Sequence, residues 1–138
     1  MKRILSLTLA ILMILSVCIF TASCGNDNEE QMLYTEDTVL GTGDKEFTFT
    51  VEHIDGTKVN FTIRTDEKIL SEALLEHELI EGEDGAFGLY VKKVNGITQD
   101  FDIDKTYWAL YIEGEYAMEG VSSIEVTEGA MYSYKASR

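Results

Sequence analysis

The sequence predicts an α+β domain: a mixed sheet crossed by one amphipathic helix. Three observations carry this. Two stretches near the start of the folded part alternate apolar and polar residues around an Asp-Gly pair. The apolar period then lengthens to that of a helix over residues 67–79. Strand-like runs return after it, the densest being Tyr107 to Gly120, which contains the only tryptophan. Alternation at period two marks a half-buried strand, and recurrence near 3.6 marks a helix with one apolar face.

The elements follow in order. Phe47, Phe49 and Val51 alternate with Thr48, Thr50 and Glu52, and Val59, Phe61 and Ile63 alternate with Asn60, Thr62 and Arg64. Asp55-Gly56 between them predicts a hairpin, because Gly reaches the positive φ that a tight turn demands. Thr65 and Asp66 are suited to capping a helix. Leu70, Ala73, Leu74 and His77 then fall on one face, flanked by Ile69, with Gly82 as the stop. Glu81 to Gly85 reads as an acidic loop, Phe87 to Val94 as a strand ended by Asn95-Gly96, and residues 97–106 as an Asp-rich connection. Tyr107 begins the aromatic strand, with Trp108, Leu110 and Ile112 on one parity and Tyr107, Ala109 and Tyr111 on the other. Short strands at 123–126 and 131–135 close the chain, and Glu128-Gly129 turns between them. The order, ββαβββ with room for one more strand, is a β-grasp-like layout. A single helix covers one face of such a sheet, so the second face of the aromatic strand meets solvent or a ligand.

The N-terminus predicts export. Lys2 and Arg3 precede an apolar run from Ile4 to Phe20, and Thr21-Ala22-Ser23 leads into Cys24. This is a secretory signal, residues 1–23, with a retained spanning helix as the alternative. Cys24 after Ala-Ser resembles a bacterial lipobox, with Thr21 where Leu is usual. The resemblance implies lipidation at Cys24 and anchoring at the extracytoplasmic face of the cell membrane. Residues 24–44, polar and acidic, read as a tether, and 45–138 as the folded domain. Leu33-Tyr34 and Val39-Leu40 are the tether residues able to dock on that domain. The 115 residues left after cleavage suffice for one core. Cys18 leaves with the signal and Cys24 carries lipid, so no disulfide is expected.

Charge excludes some partners. Cleavage removes two basic residues and no acid, so nine basic side chains face 25 acidic ones, a net −16. Such a surface repels nucleic acid and anionic headgroups. No Gly-x-Ser-x-Gly, His-Glu-x-x-His or free mature thiol is present, and no enzyme is expected. His77 reads as a packed core residue and His53 as an exposed one. Asp100, Asp102 and Asp104 invite a calcium reading, but Lys105 stands where the EF-hand requires Gly and Tyr111 where it requires Glu. A solvated acidic loop is the expectation. The aromatics remain: they either fill the fold or form a surface for a flat ligand or a partner.

Several segments carry a family resemblance. Phe87-Gly88-Leu89-Tyr90-Val91, Val94-Asn95-Gly96-Ile97, Lys105-Thr106-Tyr107-Trp108 and Glu119-Gly120-Val121 occur in order, after Ser71-Glu72-Ala73-Leu74-Leu75 on the helix. Over about residues 45–136 they resemble the C-terminal β-domain of the cobalamin carriers transcobalamin and intrinsic factor, and more closely its bacterial stand-alone form, DUF4430. Ala130 departs from the Asp common there after the turn glycine. The resemblance implies a domain that closes over one face of cobalamin, with Phe87, Leu89, Tyr90, Tyr107, Trp108 and Leu110 approaching the ligand. In the carriers a helical barrel holds the other face. Two functions follow as expectations: capture of cobalamin or a related corrinoid, with an envelope protein or transporter as partner, or adhesion and assembly on protein or glycan.

Overall fold

A computed structural model of the chain describes residues 29–138. The signal segment and Cys24 lie outside the described residues. β1 (Thr38–Leu40), β2 (Lys45–Glu52) and β3 (Lys58–Thr65) are followed by α1 (Leu70–Leu75). Next come β4 (Ile80–Gly85), β5 (Gly88–Val94), β6 (Ile97–Thr98) and α2 (Phe101–Asp104). The chain ends with β7 (Tyr107–Ile112), β8 (Glu115–Tyr116), a 3-10 turn (Val121–Ser123) and β9 (Met131–Ser137).

The large sheet has the order β1-β3-β2-β9-β7-β8. β2 lies antiparallel to β3 and parallel to β9, and β9 lies antiparallel to β7. First and last long strands are thus central parallel neighbours, the arrangement of a β-grasp sheet, and the class is α+β as the periodicities predict. The Asp-Gly hairpin forms as expected. Asp55 Oδ1 accepts the Thr57 N–H at 2.9 Å, and Gly56 takes φ 87°.

Register places one parity of every long strand on the same face. Phe49 pairs with Phe61 and Tyr132, Val51 with Val59 and Tyr134, Leu110 with Tyr134, and Trp108 with Ala136. These residues are all buried. The opposite face carries Thr48, Thr50, Thr62, Ser133 and Lys135, residues at home in water. The aromatic second parity of the Trp108 strand is therefore local: Tyr107 and Tyr111 sit near the β7 edge of an otherwise polar face.

The covering layer differs from the expected single three-turn helix. Helical geometry spans only Leu70–Leu75. Ile69 is extended and bridges Glu125, while Leu70 N–H donates to Ile124 O at 2.8 Å. At the far end Glu78 enters the left-handed region at φ 56°, which returns Leu79 and Ile80 to the core. Tertiary demand for those two side chains overrides helix propensity. The rest of the cover is a second sheet in the order β4-β5-β6, contributing Ile80, Val91 and Val94, with Val121 from the 3-10 turn. The segment expected as an acidic loop, residues 81–85, is the outer strand of that sheet. Gly82 is its bulge and not a helix stop. Residues 123–126, expected as a strand, contribute only the isolated bridge at Glu125.

The part of the expected tether that is described lies on the domain. β1 runs parallel to β3, with Val39 opposite Thr62. Tyr34 meets Phe61 edge-on, with ring centroids 5.5 Å apart. Buried Asn95 clamps the Tyr34 backbone from both sides: Oδ1 accepts from Tyr34 N–H and Nδ2 donates to Tyr34 O, each at 2.9 Å. The alternative open to Leu33-Tyr34 and Val39-Leu40, docking on the domain, is the one realised from Glu30 to Leu40. Polar composition conceals it, because the contacts are to backbone and to a few spaced apolar side chains.

Candidate functional site

The small sheet and the β7–β8 edge of the large sheet leave a furrow between them. Three positioning devices shape it. Leu89 N–H donates to Ser122 Oγ at 3.0 Å, fixing the start of β5 against the 3-10 turn. The Trp108 indole N–H donates to Ile97 O at 3.1 Å, fixing the ring of β7 to the end of the small sheet. Ala117 N–H donates to Leu110 O at 2.9 Å, folding the chain after β8 back along β7.

The middle of the furrow is a cleft of about 330 Å³ lined by Leu89, Tyr90, Trp108, Leu110, Tyr116 and Met118. On one side it adjoins a cleft of about 480 Å³ containing Tyr90, Phe101, Tyr107 and Tyr116, with Lys92, Glu83 and Asp100. On the other it meets a depression of about 510 Å³ around Phe87, Met118 and Gly120. The six residues that the resemblance implicates are thus strung along one furrow. Leu89, Tyr90, Trp108 and Leu110 line the centre, Tyr107 one flank and Phe87 the other. Exposure varies among them. Phe87 is 91% exposed and Tyr90 50%, whereas Trp108 and Leu110 are floor residues at 7% and 8%. A separate depression of about 290 Å³ lies on the outer face at Thr50, Tyr111, Met131 and Lys135.

The furrow also contains residues that the family pattern does not single out. Met118, 92% exposed, and Tyr116 follow the tight turn at Glu113-Gly114, and Phe101 projects from α2. In the sequence each stands as a single apolar residue on a short connection, which is no signal by itself; only their gathering along one furrow is.

The acids of the Asp-rich connection have structural work. Asp100 Oδ1 accepts from Asp102 N–H at 3.0 Å and caps α2, and its carboxylate lies 3.8 Å from Lys92 Nζ. Asp104 accepts from both the N–H and the hydroxyl of Thr106, which together hold its carboxyl below the usual range. The Lys92 ammonium, hydrogen-bonded to Glu83, is held above the usual lysine range. Among the described residues, no three His, Cys, Asp or Glu side chains converge as a metal site requires. His53, expected on the surface, is instead 7% exposed, its ring edge-on to Trp108 at 5.7 Å. Burial lowers its pKa, and its Nε2 has no hydrogen-bond partner among the described residues. His77 lies beyond α1, its Nε2 likewise enclosed and without a partner among the described residues, close against Gly41.

The model of a domain of unknown function, DUF4430, matches residues 67–131, from before α1 to the start of β9. A solved Ruminococcus gnavus protein, described provisionally as metal binding, is 30% identical with a TM-score of 0.66. The match covers 69% of this chain and 98% of that one. The chain belongs to the DUF4430 family. Haptocorrin, solved in complex with Cbi, also matches, at 22% identity and a TM-score of 0.52. That match covers 72% of this chain and 26% of haptocorrin, so this DUF4430 protein shares a fold with about a quarter of that structure. No curated protein matches.

Proposed function

We propose that this DUF4430 protein is an extracytoplasmic lipoprotein whose folded domain captures a flat, largely apolar ligand, a corrinoid such as cobalamin. The observation that carries the reading is the furrow floor: Leu89, Trp108 and Leu110 form an apolar base, with Tyr90 and Phe87 standing above it. A base of this kind suits a broad planar ligand, because stacking and area burial need no dedicated hydrogen-bond set. The shared fold with haptocorrin, a protein solved with Cbi, supports the choice of ligand class. Lipidation at Cys24 would tether the domain outside the membrane, and an envelope transporter would receive the ligand. The furrow is open along its length, so a partner would supply the opposite wall. No catalytic step belongs to this reading.

Cobalamin titrated against the full chain, with Trp108 emission as the signal, is the test. Saturable quenching is expected at micromolar concentrations. The reading fails if emission shows no saturable change up to about 100 µM, a limit that leaves less than about 5.5 kcal/mol of binding energy. Tyr90→Ala, at a half-exposed position, is expected to weaken binding about tenfold while changing stability by less than about 0.5 kcal/mol.

Near-complete exposure of Phe87 and Met118 favours a second reading, adhesion to a protein surface. Chemical crosslinking on intact cells separates the two. A stable envelope partner together with a silent cobalamin titration would favour adhesion.

A further inference from the structure

The flank of the furrow between β5, α2 and β7 has chemistry that a flat apolar ligand does not require. Its cleft of about 480 Å³ brings together the rings of Tyr90, Phe101, Tyr107 and Tyr116. Phe101 and Tyr107 meet edge-on, with centroids 6.5 Å apart, so their ring planes differ by 68° and turn different surfaces to the space between. Tyr116 is held at its own angle by Tyr111, at 5.7 Å and 86°. Tyr90 and Phe101 are about half exposed, so neither ring is consumed by the core. Carboxylates of Glu83, Asp100 and Asp102 line the same cleft, against the single ammonium of Lys92. Lys92 is committed to Glu83 at 3.4 Å and Asp100 at 3.8 Å, which leaves Asp102 without an ion pair among the described residues.

Aromatic faces carry negative charge density, and several of them around one space stabilise a desolvated cation, most of all one too large to hydrate tightly. Nearby carboxylates add long-range attraction, and the excess of acids over the whole chain raises the local cation concentration further. One ring of the cleft already holds a cation of the protein itself: Lys105 Nζ stands 4.8 Å from the Phe101 centroid.

We propose that this cleft binds an organic ammonium ion, the head of a quaternary or methylated amine. The rings surround the alkylated nitrogen, and Asp102 supplies the compensating charge at the rim. This goes beyond the corrinoid reading and does not depend on it, since Phe101, Asp102 and Tyr116 are not among the six residues that reading invokes.

The test uses the full chain in detergent and two probes of the same shape. Choline carries the positive charge, and 3,3-dimethylbutan-1-ol replaces its nitrogen with carbon. Calorimetric titration is expected to give saturable choline binding in the millimolar range or tighter, with the neutral alcohol at least about tenfold weaker. Phe101→Leu keeps an apolar side chain and removes the ring. It is expected to lower choline affinity about tenfold, and Asp102→Asn to lower it about threefold, an effect lost in 0.5 M salt. Equal affinity for the two probes would reduce the cleft to an apolar surface and overturn the proposal. So would absence of choline saturation up to about 20 mM, the weak end of specific binding, or an unchanged affinity in Phe101→Leu. Circular dichroism of each variant verifies that the fold is intact. A silent cobalamin titration beside positive choline binding would sink the corrinoid reading alone.

Discussion

Single residues at the seams of this fold carry more than their sequence context suggests. Asn95 is fully buried, adopts φ 49°, and holds the Tyr34 backbone through two hydrogen bonds. Asn95→Ala removes both bonds and puts a Cβ-bearing residue without local compensation in the left-handed region. A loss of about 3 kcal/mol is expected in urea unfolding. Asn95→Gly relieves the backbone and still lacks the clamp, so it is expected to fall between the two. If it matched the wild type, the clamp would contribute nothing. His53 is the other case. Desolvation lowers its pKa, against a smaller opposing effect of Asp55. The unfolded chain therefore binds a proton that the folded one resists, and stability falls as pH drops through 6.5 toward the folded value. Because the many acids have their own pH dependence, the quantity to measure is the difference between wild type and His53→Leu. Wild-type stability minus that of the variant is expected to fall as pH is lowered from 7.5 to 5, and a constant difference would contradict the burial argument.

At the level of elements, the β4–β5 ribbon and the N-terminal strap decide the shape of the furrow. Gly82 marks the bulge where β4 changes register, and a Cβ there would run into the Tyr90 carbonyl. Gly82→Ala must push β4 away from the strand that presents Leu89 and Tyr90. Faster amide exchange is expected at 88–92, while 47–51 in the large sheet stays protected. Uniform acceleration across both regions would mean that the ribbon is not a separable unit. The strap contributes Tyr34 against Phe61 and β1 along β3. Tyr34→Ala is expected to cost about 2 kcal/mol by thermal or urea unfolding, the aromatic contact plus partial loss of burial. A tether free in solution would give no change.

Across the whole molecule, charge sets the conditions under which the domain works. A formal −14 over the full chain makes the compact state self-repelling at low ionic strength. Raising salt from about 10 to about 200 mM shortens the Debye length from about 30 Å to below 10 Å, and is expected to raise the melting temperature by a few degrees. A fall in melting temperature would assign the acids to specific stabilising pairs instead. The observed ion pairs argue against that, because Lys58 and Lys135 both share Glu52 at the surface, and exposed pairs contribute little. The furrow itself is a whole-molecule feature, since its walls come from two sheets that share one core.

The sequence by itself determined the α+β class, the Asp-Gly hairpin and the buried parity of the two hairpin strands β2 and β3, because these follow from side-chain period and local turn chemistry. It also marked the segments that line the furrow, through their family resemblance. It did not reveal how that furrow is built. The helix expected over 67–79 shrank because Leu79 and Ile80 are needed in the core. The acidic run 81–85 became a strand because its backbone pairs with β5, a bond pattern that side-chain polarity does not report. His53 went inside because Trp108, 55 residues away in the chain, packs against it. Only the tertiary structure decided that Trp108 faces the core and the furrow floor while the opposite sheet face stays polar. Register between distant strands chooses which parity is covered, and that choice belongs to no single stretch of chain.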